Sequence, residues 1–383
     1  MKTDRTKHVG PGSHRTPAPG GAGINAPDDT LQPNWSRSTR VALGSVTGVG
    51  VGVGVLLFAE GLLALANQMP PNLNVWHRAQ ADYYTQSDRK VIQFQPECAE
   101  YDAELAYRLK PGSCRFGNRE FNSQYRINRI GTRDSDDALR APEVVFTGDS
   151  FAMGWGVEQD QVMSAVLGDL TGLRILNTAV SSYGTARQMM GLKRVDLSDT
   201  TTLVIQYCDN DYLENHQFVQ NAGALPIMTR ERYEAKTARH LEDTRYYLGK
   251  YLQVFTPLLW RAWEKGVTSW RPKKRRCDVE ADTFLKVLDL APLPRRQLRV
   301  VVLEIVRNQM IDGCFAAALR RTLDGRELAP WIESVDLIDP PTFLEASHYY
   351  ALDQHLTTAG HRRVAEEIAR LMGTDYPRSP VPR

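Results

Sequence analysis

A chain of 383 residues, 42% of them hydrophobic, is long enough to bury a full core and still carry appendages. Lys and Arg total 47 against 45 Asp and Glu, a net charge of +2, which gives no support to nucleic-acid binding as the main task.

Residues 1–40 are rich in Gly, Pro, Ser, Thr, Asn and Arg and almost free of large apolar side chains, so a disordered tail is expected there. No short apolar stretch with a small-residue cleavage site precedes the next segment, so no removable signal peptide is expected. From Val41 to Ala59 there is no charged residue, and Gly61 to Ala66 extends the apolar run past Glu60. About 20 apolar residues span a bilayer as a helix, which predicts a transmembrane helix over 41–67. Gly48, Gly50, Gly52 and Gly54 would allow close packing against another helix. Glu60 is expected near the outer interface, because a charge at the midplane is costly.

Basic residues Lys2, Arg5, Lys7, Arg15, Arg37 and Arg40 precede the helix, and the other side has none before Arg78. The positive-inside rule puts the tail in the cytoplasm and everything after Gln68 outside, as a single-pass protein of the inner (cytoplasmic) membrane facing the periplasm. Five cysteines allow Cys98–Cys114 and Cys277–Cys314 as local disulfides with Cys208 free, a pairing that fits a compartment outside the reducing cytoplasm but that sequence does not fix.

Residues 68–140 are rich in charges and Tyr, with short extended stretches such as Glu120–Ile127, and carry no evident chemistry. They are expected to cap the main domain at 141–375. There the pattern alternates. Strands are predicted at Glu143–Thr147, Leu173–Asn177, Thr201–Cys208, Leu298–Val306 and Val335–Ile338. Helices are predicted at Asp160–Leu170, Thr185–Val195, Phe315–Thr322 and Thr358–Met372, with Val364, Ile368, Leu371 and Met372 on one face of the last. Strands separated by helical segments imply a parallel sheet covered on both faces. An insertion at 211–297 contains an aromatic stretch, Tyr246 to Trp263, that turns basic through Arg276. It reads as a membrane-surface segment, as a lid, or as a helical excursion packed on its own domain. Residues 376–383 form a tail.

Four segments fall at the ends of predicted strands, where open α/β sheets place their ligands. Gly148-Asp149-Ser150 ends the first strand in a tight turn, and a serine there needs a base to take its proton and an acid to orient that base. Asp353-Gln354-His355 supplies both. Asn177 to Thr185 is a small-residue turn whose N–H groups can donate to an oxyanion. Cys208-Asp209-Asn210-Asp211 places an amide at the same edge. Among the rest, His361 reads as a surface or helix-start residue, Asp209 and Asp211 as solvated or structural, and Cys208 as unactivated.

In order and placement these segments resemble the blocks of the SGNH (GDSL-type) esterase and acyltransferase superfamily, over roughly 143–375. Gly148-Asp149-Ser150-Phe151 is similar to the nucleophile block, and its continuation through Trp155-Gly156-Val157 resembles the variant of membrane-anchored members. Cys208 stands where the Gly-x-Asn-Asp block has glycine, and Ser182 where the second block has glycine. Asp353-x-His355 is one residue shorter than the common Asp-x-x-His, a spacing also seen in branches that include polysaccharide acetyltransferases. The resemblance implies a three-layer α/β/α sandwich with a parallel sheet, flavodoxin-like, and a Ser150–His355–Asp353 triad. The N–H groups of Ser150 and Ser182 and the amide of Asn210 would form the oxyanion hole, with Gly184 as the alternative donor. No metal or cofactor is implied. The expected function is a membrane-anchored extracytoplasmic serine esterase acting on acyl esters, acetyl esters first among them, of a glycan or lipid. The alternatives are an O-acyltransferase working with an envelope polysaccharide machinery, and a non-catalytic envelope scaffold.

Overall fold

The computed structural model describes residues 36–69, 74–265, 275–294, 296–307 and 313–373. Most of the expected N-terminal tail, the Lys273-Lys274 pair and the C-terminal tail lie outside them. The chain divides into two units, one through Leu56 and one from Leu57 onward.

The first unit contains the start of helix α1, Arg37–Gln68, of 32 residues. The helix begins before Val41 because Ser36 Oγ accepts the N–H of Thr39 at 3.2 Å, as an N-cap serine does. Residues 37–40 are therefore helical, not part of a disordered tail. Its most apolar 18 residues have a mean hydropathy of 2.2, so α1 is long and apolar enough to cross a bilayer.

In the second unit, α1 ends at Gln68 and α2 follows at Asn74–Tyr83. Two antiparallel hairpins come next: β1 (Ala99–Asp102) with β2 (Ala106–Leu109), and β3 (Gly112–Gly117) with β4 (Asn122–Ile127). Five parallel strands then form one sheet: β5 (Val144–Thr147), β6 (Ile175–Asn177), β7 (Thr202–Tyr207), β8 (Leu298–Glu304) and β9 (Ile332–Ile338). Their order is β6-β5-β7-β8-β9. The remaining helices are α3 (Ser150–Met153), α4 (Met163–Thr171), α5 (Thr185–Gly191), α6 (Asp211–Gln220), α7 (Arg230–Thr244), α8 (Thr256–Lys265), α9 (Cys277–Leu290), α10 (Cys314–Leu323) and α11 (Thr358–Leu371).

Period-two alternation distributes each strand's side chains between two faces. Val145, Leu203, Ile205, Val300 and Val302 meet α5, α6, α9 and α10 on one side. Val144, Phe146, Val204, Val301 and Leu303 meet α4 and α11 on the other. Both faces are dry, which is why the strands read as continuous apolar runs instead of alternating ones. The result is the expected three-layer α/β/α sandwich. On α11, Val364 and Ile368 are fully buried, each contributing about 1.5–3 kcal/mol.

The differences from expectation are local. β9 starts at Ile332, ahead of Val335. The helix expected from Asp160 breaks at Val162, which is extended at ψ 141°, leaving a single turn at Gln159–Gln161 before α4. The insertion at 211–297 is mostly packed structure, with α6 and α9 built into one face of the sheet.

Cys98 is bonded to Cys114 and Cys277 to Cys314, with Cα separations of 5.4 and 5.8 Å, while Cys208 is free and buried. Both separations fall in the usual disulfide range. Non-reducing peptide mapping is expected to recover these two linked pairs, with Cys208 alkylated only after unfolding; thiols at all five positions would contradict the pairing.

Candidate active site

In a sheet of this order the chain reverses direction across β5 and β7, and the crevice beyond their C-terminal ends is where ligands settle. The turn Gly148-Asp149-Ser150 leaves β5 at that point, and Cys208 to Asp211 leaves β7 beside it. The two are joined by Gln206 of β7, whose Oε1 accepts the N–H of Asp149 at 3.0 Å and of Ala152 at 3.3 Å. The approach is too close for a side chain at residue 148: a Cβ there would sit 2.6 Å from Gln206 Oε1. Asp149 caps α3, its Oδ1 accepting from Phe151 N at 2.9 Å, which orients Ser150 at the helix start.

Ser150 Oγ lies 2.7 Å from His355 Nε2. On the far side of the ring, His355 Nδ1 is hydrogen-bonded to Asp353 Oδ1. Residues 205 positions apart in sequence thus meet in the crevice. Gln354, at φ +66°, takes the left-handed conformation between the acid and the base, and Tyr350 N donates to His355 O at 2.8 Å to close the loop. The imidazole is held flat between aromatics. Trp155 stacks on it at 4.9 Å and 18°, and Phe151 lies at 4.7 Å. Such walls exclude water, which strengthens electrostatic interactions inside.

The loop carrying Trp155 is fixed by a buried cation. Arg133 is fully buried and donates to the carbonyls of Met153, Gly154 and Val157, with its guanidinium 3.7 Å from the centre of the Tyr125 ring. Gly154 holds φ +88° at the end of α3, a conformation that favours glycine.

Two side chains from 68–140 complete the arrangement, and no sequence pattern points to them. Tyr84 OH donates to the second oxygen of Asp353. The carboxylate of Glu120 accepts the N–H groups of Ala351, Leu352 and Asp353 at 2.9, 2.9 and 2.7 Å, gathering the loop that presents the acid. The region expected to be a plain cap therefore reaches into the crevice. Only fold-level placement brings Tyr84 and Glu120 there, since each is isolated in sequence. Burial disfavours the charged form of Asp353, but His355, Arg89 and the Tyr84 hydroxyl outweigh it and hold the carboxyl below its ordinary value. Burial pushes Tyr84 far up, so it remains a neutral donor. Burial also raises Asp149.

Two of the expected oxyanion donors, Ser182 and Asn210, follow β6 and β7, the two strands that flank β5. Ser182 adopts φ +61°, a conformation that glycine takes without cost and other residues rarely adopt. That side chain is tied back: Gln93 Nε2 donates to Ser182 Oγ at 3.0 Å. Asn210 follows β7 with its amide directed to the Asp149 carboxyl. Gly184 N–H donates to Glu214 at 3.1 Å, so the alternative donor is engaged elsewhere.

His361 corrects the sequence reading in part. It lies in the first turn of α11 but is fully buried, with Nδ1 accepting Met163 N at 3.3 Å. Burial, with Arg133 and His355 nearby, pushes its pKa down to about 3, so it stays a neutral acceptor. Burial raises Cys208 well above a reactive range. Asp211 accepts from Thr185 Oγ1 at 2.9 Å and is structural, whereas Asp209 is partly exposed.

No family model matches the chain, and no curated protein matches it. Among solved structures, a member of the lipolytic G-D-S-L family from Veillonella parvula DSM 2008 aligns over 61% of this chain and 98% of its own, at 13% identity and a TM-score of 0.36. A second protein assigned to the lipolytic G-D-S-L family, from Desulfitobacterium hafniense DCB-2, aligns over 60% and 98% at 11% identity and a TM-score of 0.31. Both likenesses are distant.

Tyr84→Phe removes a donor to a charged acceptor, worth about 1.5–3 kcal/mol. The donor favours ionised Asp353, so the stability gap between wild type and variant should be present at neutral pH. It should close as pH falls through the depressed carboxyl value, below about 4. Thermal midpoints measured from pH 7 to pH 3 check this; a gap independent of pH would show that the hydroxyl acts only by packing.

Proposed function

We propose that the protein is a serine esterase acting on acyl esters, acetyl esters first among them, of a glycan or lipid. One observation carries the reading: Ser150 Oγ sits 2.7 Å from His355 Nε2, whose other nitrogen is bonded to Asp353, at the switch point of a parallel sheet. Ser150 attacks the ester carbonyl as Nε2 accepts its proton, and the imidazolium is stabilised by Asp353, itself held ionised by Tyr84 and Arg89. The proton then passes to the leaving alcohol, and water repeats the sequence on the acyl-enzyme. Ser150 N–H, Ser182 N–H and the Asn210 amide are the donors we assign to the oxyanion, each worth ~10²–10³ in rate.

Location follows the same reading. One apolar helix at the N-terminal end fits a single-pass anchor. The excess of Lys and Arg before it favours a cytoplasmic tail, and two disulfides favour an oxidising compartment for the rest.

Purified full-length protein in detergent is expected to hydrolyse p-nitrophenyl acetate, and Ser150→Ala to lower kcat by at least about 10³-fold. Equal activity in the two proteins, or none in either, would defeat the proposal. If added glycans become acetylated at the expense of hydrolysis, the acyl-enzyme is being captured by a sugar hydroxyl and the activity is transfer.

A further inference from the structure

Around the last turns of α1, three segments converge that the ester chemistry does not use. Glu60 is buried, and its carboxylate accepts the N–H groups of Gly249, Tyr251 and Leu252 at 3.1, 3.2 and 2.9 Å and the hydroxyl of Tyr246 at 3.3 Å. A carboxylate on the helix thus fastens the segment that leads into α8. The α2 helix is fastened to the same helix end: Trp76 Nε1 donates to Ala66 O at 3.0 Å, and Gln80 Nε2 to Asn67 O at 3.1 Å and Met69 O at 2.9 Å. Between them Leu258, Ala262 and Phe255 bury against Ala79, Tyr83 and Leu63.

The opposite face of α8 is bare. Trp260 and Trp263 are 59% and 67% exposed, with ring centres 5.2 Å apart, and Leu248 at the segment's start is 70% exposed. Two adjacent tryptophans left in water are an unusual expense for a folded protein, since each is able to bury 150–250 Å² or so. The helix they are fastened beside also leaves Phe58, Leu62 and Leu65 exposed. One solvent that is apolar at one end and wet at the other accounts for both sets. Tryptophan is enriched at that boundary, where its ring meets acyl chains and its N–H meets headgroups. Arg261, exposed on the same helix, suits lipid phosphates.

We propose that α8 is a membrane-interface helix which seats Trp260 and Trp263 in the headgroup region of a phospholipid bilayer, beside the emerging end of α1. The proposal rests on reading α1 as the membrane anchor. It assigns the aromatic part of the insertion to the lipid surface, not to a lid. α8, α2 and the last turns of α1, from Leu57 onward, are fastened together by these contacts.

The test uses the full chain reconstituted in phosphatidylcholine–phosphatidylglycerol vesicles with lipids brominated near the headgroup end of their acyl chains, in a Trp35→Phe background. Tryptophan emission is expected to be quenched, and Trp260→Phe/Trp263→Phe to remove at least half of that quenching; each single variant should remove part. Equal quenching in parent and double variant, with the protein retained after alkaline carbonate washing, overturns the proposal and leaves the anchor standing. Release by carbonate removes the anchor and this proposal together. Equal quenching with a dimer that Trp260→Asp dissociates gives the surface to a second copy of the chain, and also overturns it.

Discussion

A carboxylate buried in the crevice sets the terms for the rest of the structure. Asp353 is almost inaccessible to solvent, and an unpaired charge in such a place costs several kcal/mol. It is stable there because donors surround it: the imidazole of His355 on one oxygen, the hydroxyl of Tyr84 on the other, and the positive field of Arg89. Glu120 then fixes the backbone that carries it by taking three successive N–H groups. Only one of these partners belongs to the same loop as the acid. The others come from the stretch before the sheet begins, so the α/β sandwich alone does not make the site.

The same dependence governs the serine. Ser150 is placed by a glycine turn too tight for a Cβ and by Gln206 on the neighbouring strand. The loop beyond it is held by Arg133, which sits in the interior with three main-chain carbonyls and the amide oxygen of Gln159 as partners and, among the described residues, no carboxylate bonded to it. A buried cation without an ion pair is costly. The tyrosine ring beneath it and the carbonyl dipoles offset that cost, and burial still lowers its pKa. Removing such a residue would free the Trp155 wall against which the imidazole lies, so the rigidity of the base is bought by a group that never touches it.

Much of this was legible in the sequence, for identifiable reasons. The five strands are short apolar runs bounded by turns, and their two-sided burial makes them stand out. Ser150, Asp353 and His355 were legible because a strand end, a tight turn and a helix start announce themselves locally. The left-handed φ of Ser182 was not legible, since serine rarely adopts it. What stayed hidden is non-local. Tyr84, Glu120 and Arg133 are single residues in charged, irregular stretches, and no periodicity marks them. Their roles depend on which hairpin folds over which loop. The complete burial of His361 was equally invisible, because a histidine in the first turn of an amphipathic helix reads as exposed until the opposing helix is known.

The hidden residues also connect the two ends of the protein's chemistry. Tyr84 directly follows α2, whose 10 residues measure about 15 Å. The start of that helix is fastened to the last turn of α1 through Trp76, and its end stacks Tyr83 on Tyr251 at 5.2 Å, in the segment that Glu60 binds. A single short helix therefore separates the emerging end of α1 from the hydroxyl that steadies Asp353. A displacement of α2 would therefore reach the hydroxyl that steadies Asp353. Fixing Tyr84 by way of α2 is then more than support for one side chain: it makes the charge balance of the crevice depend on the contacts of α2 with the last turn of α1.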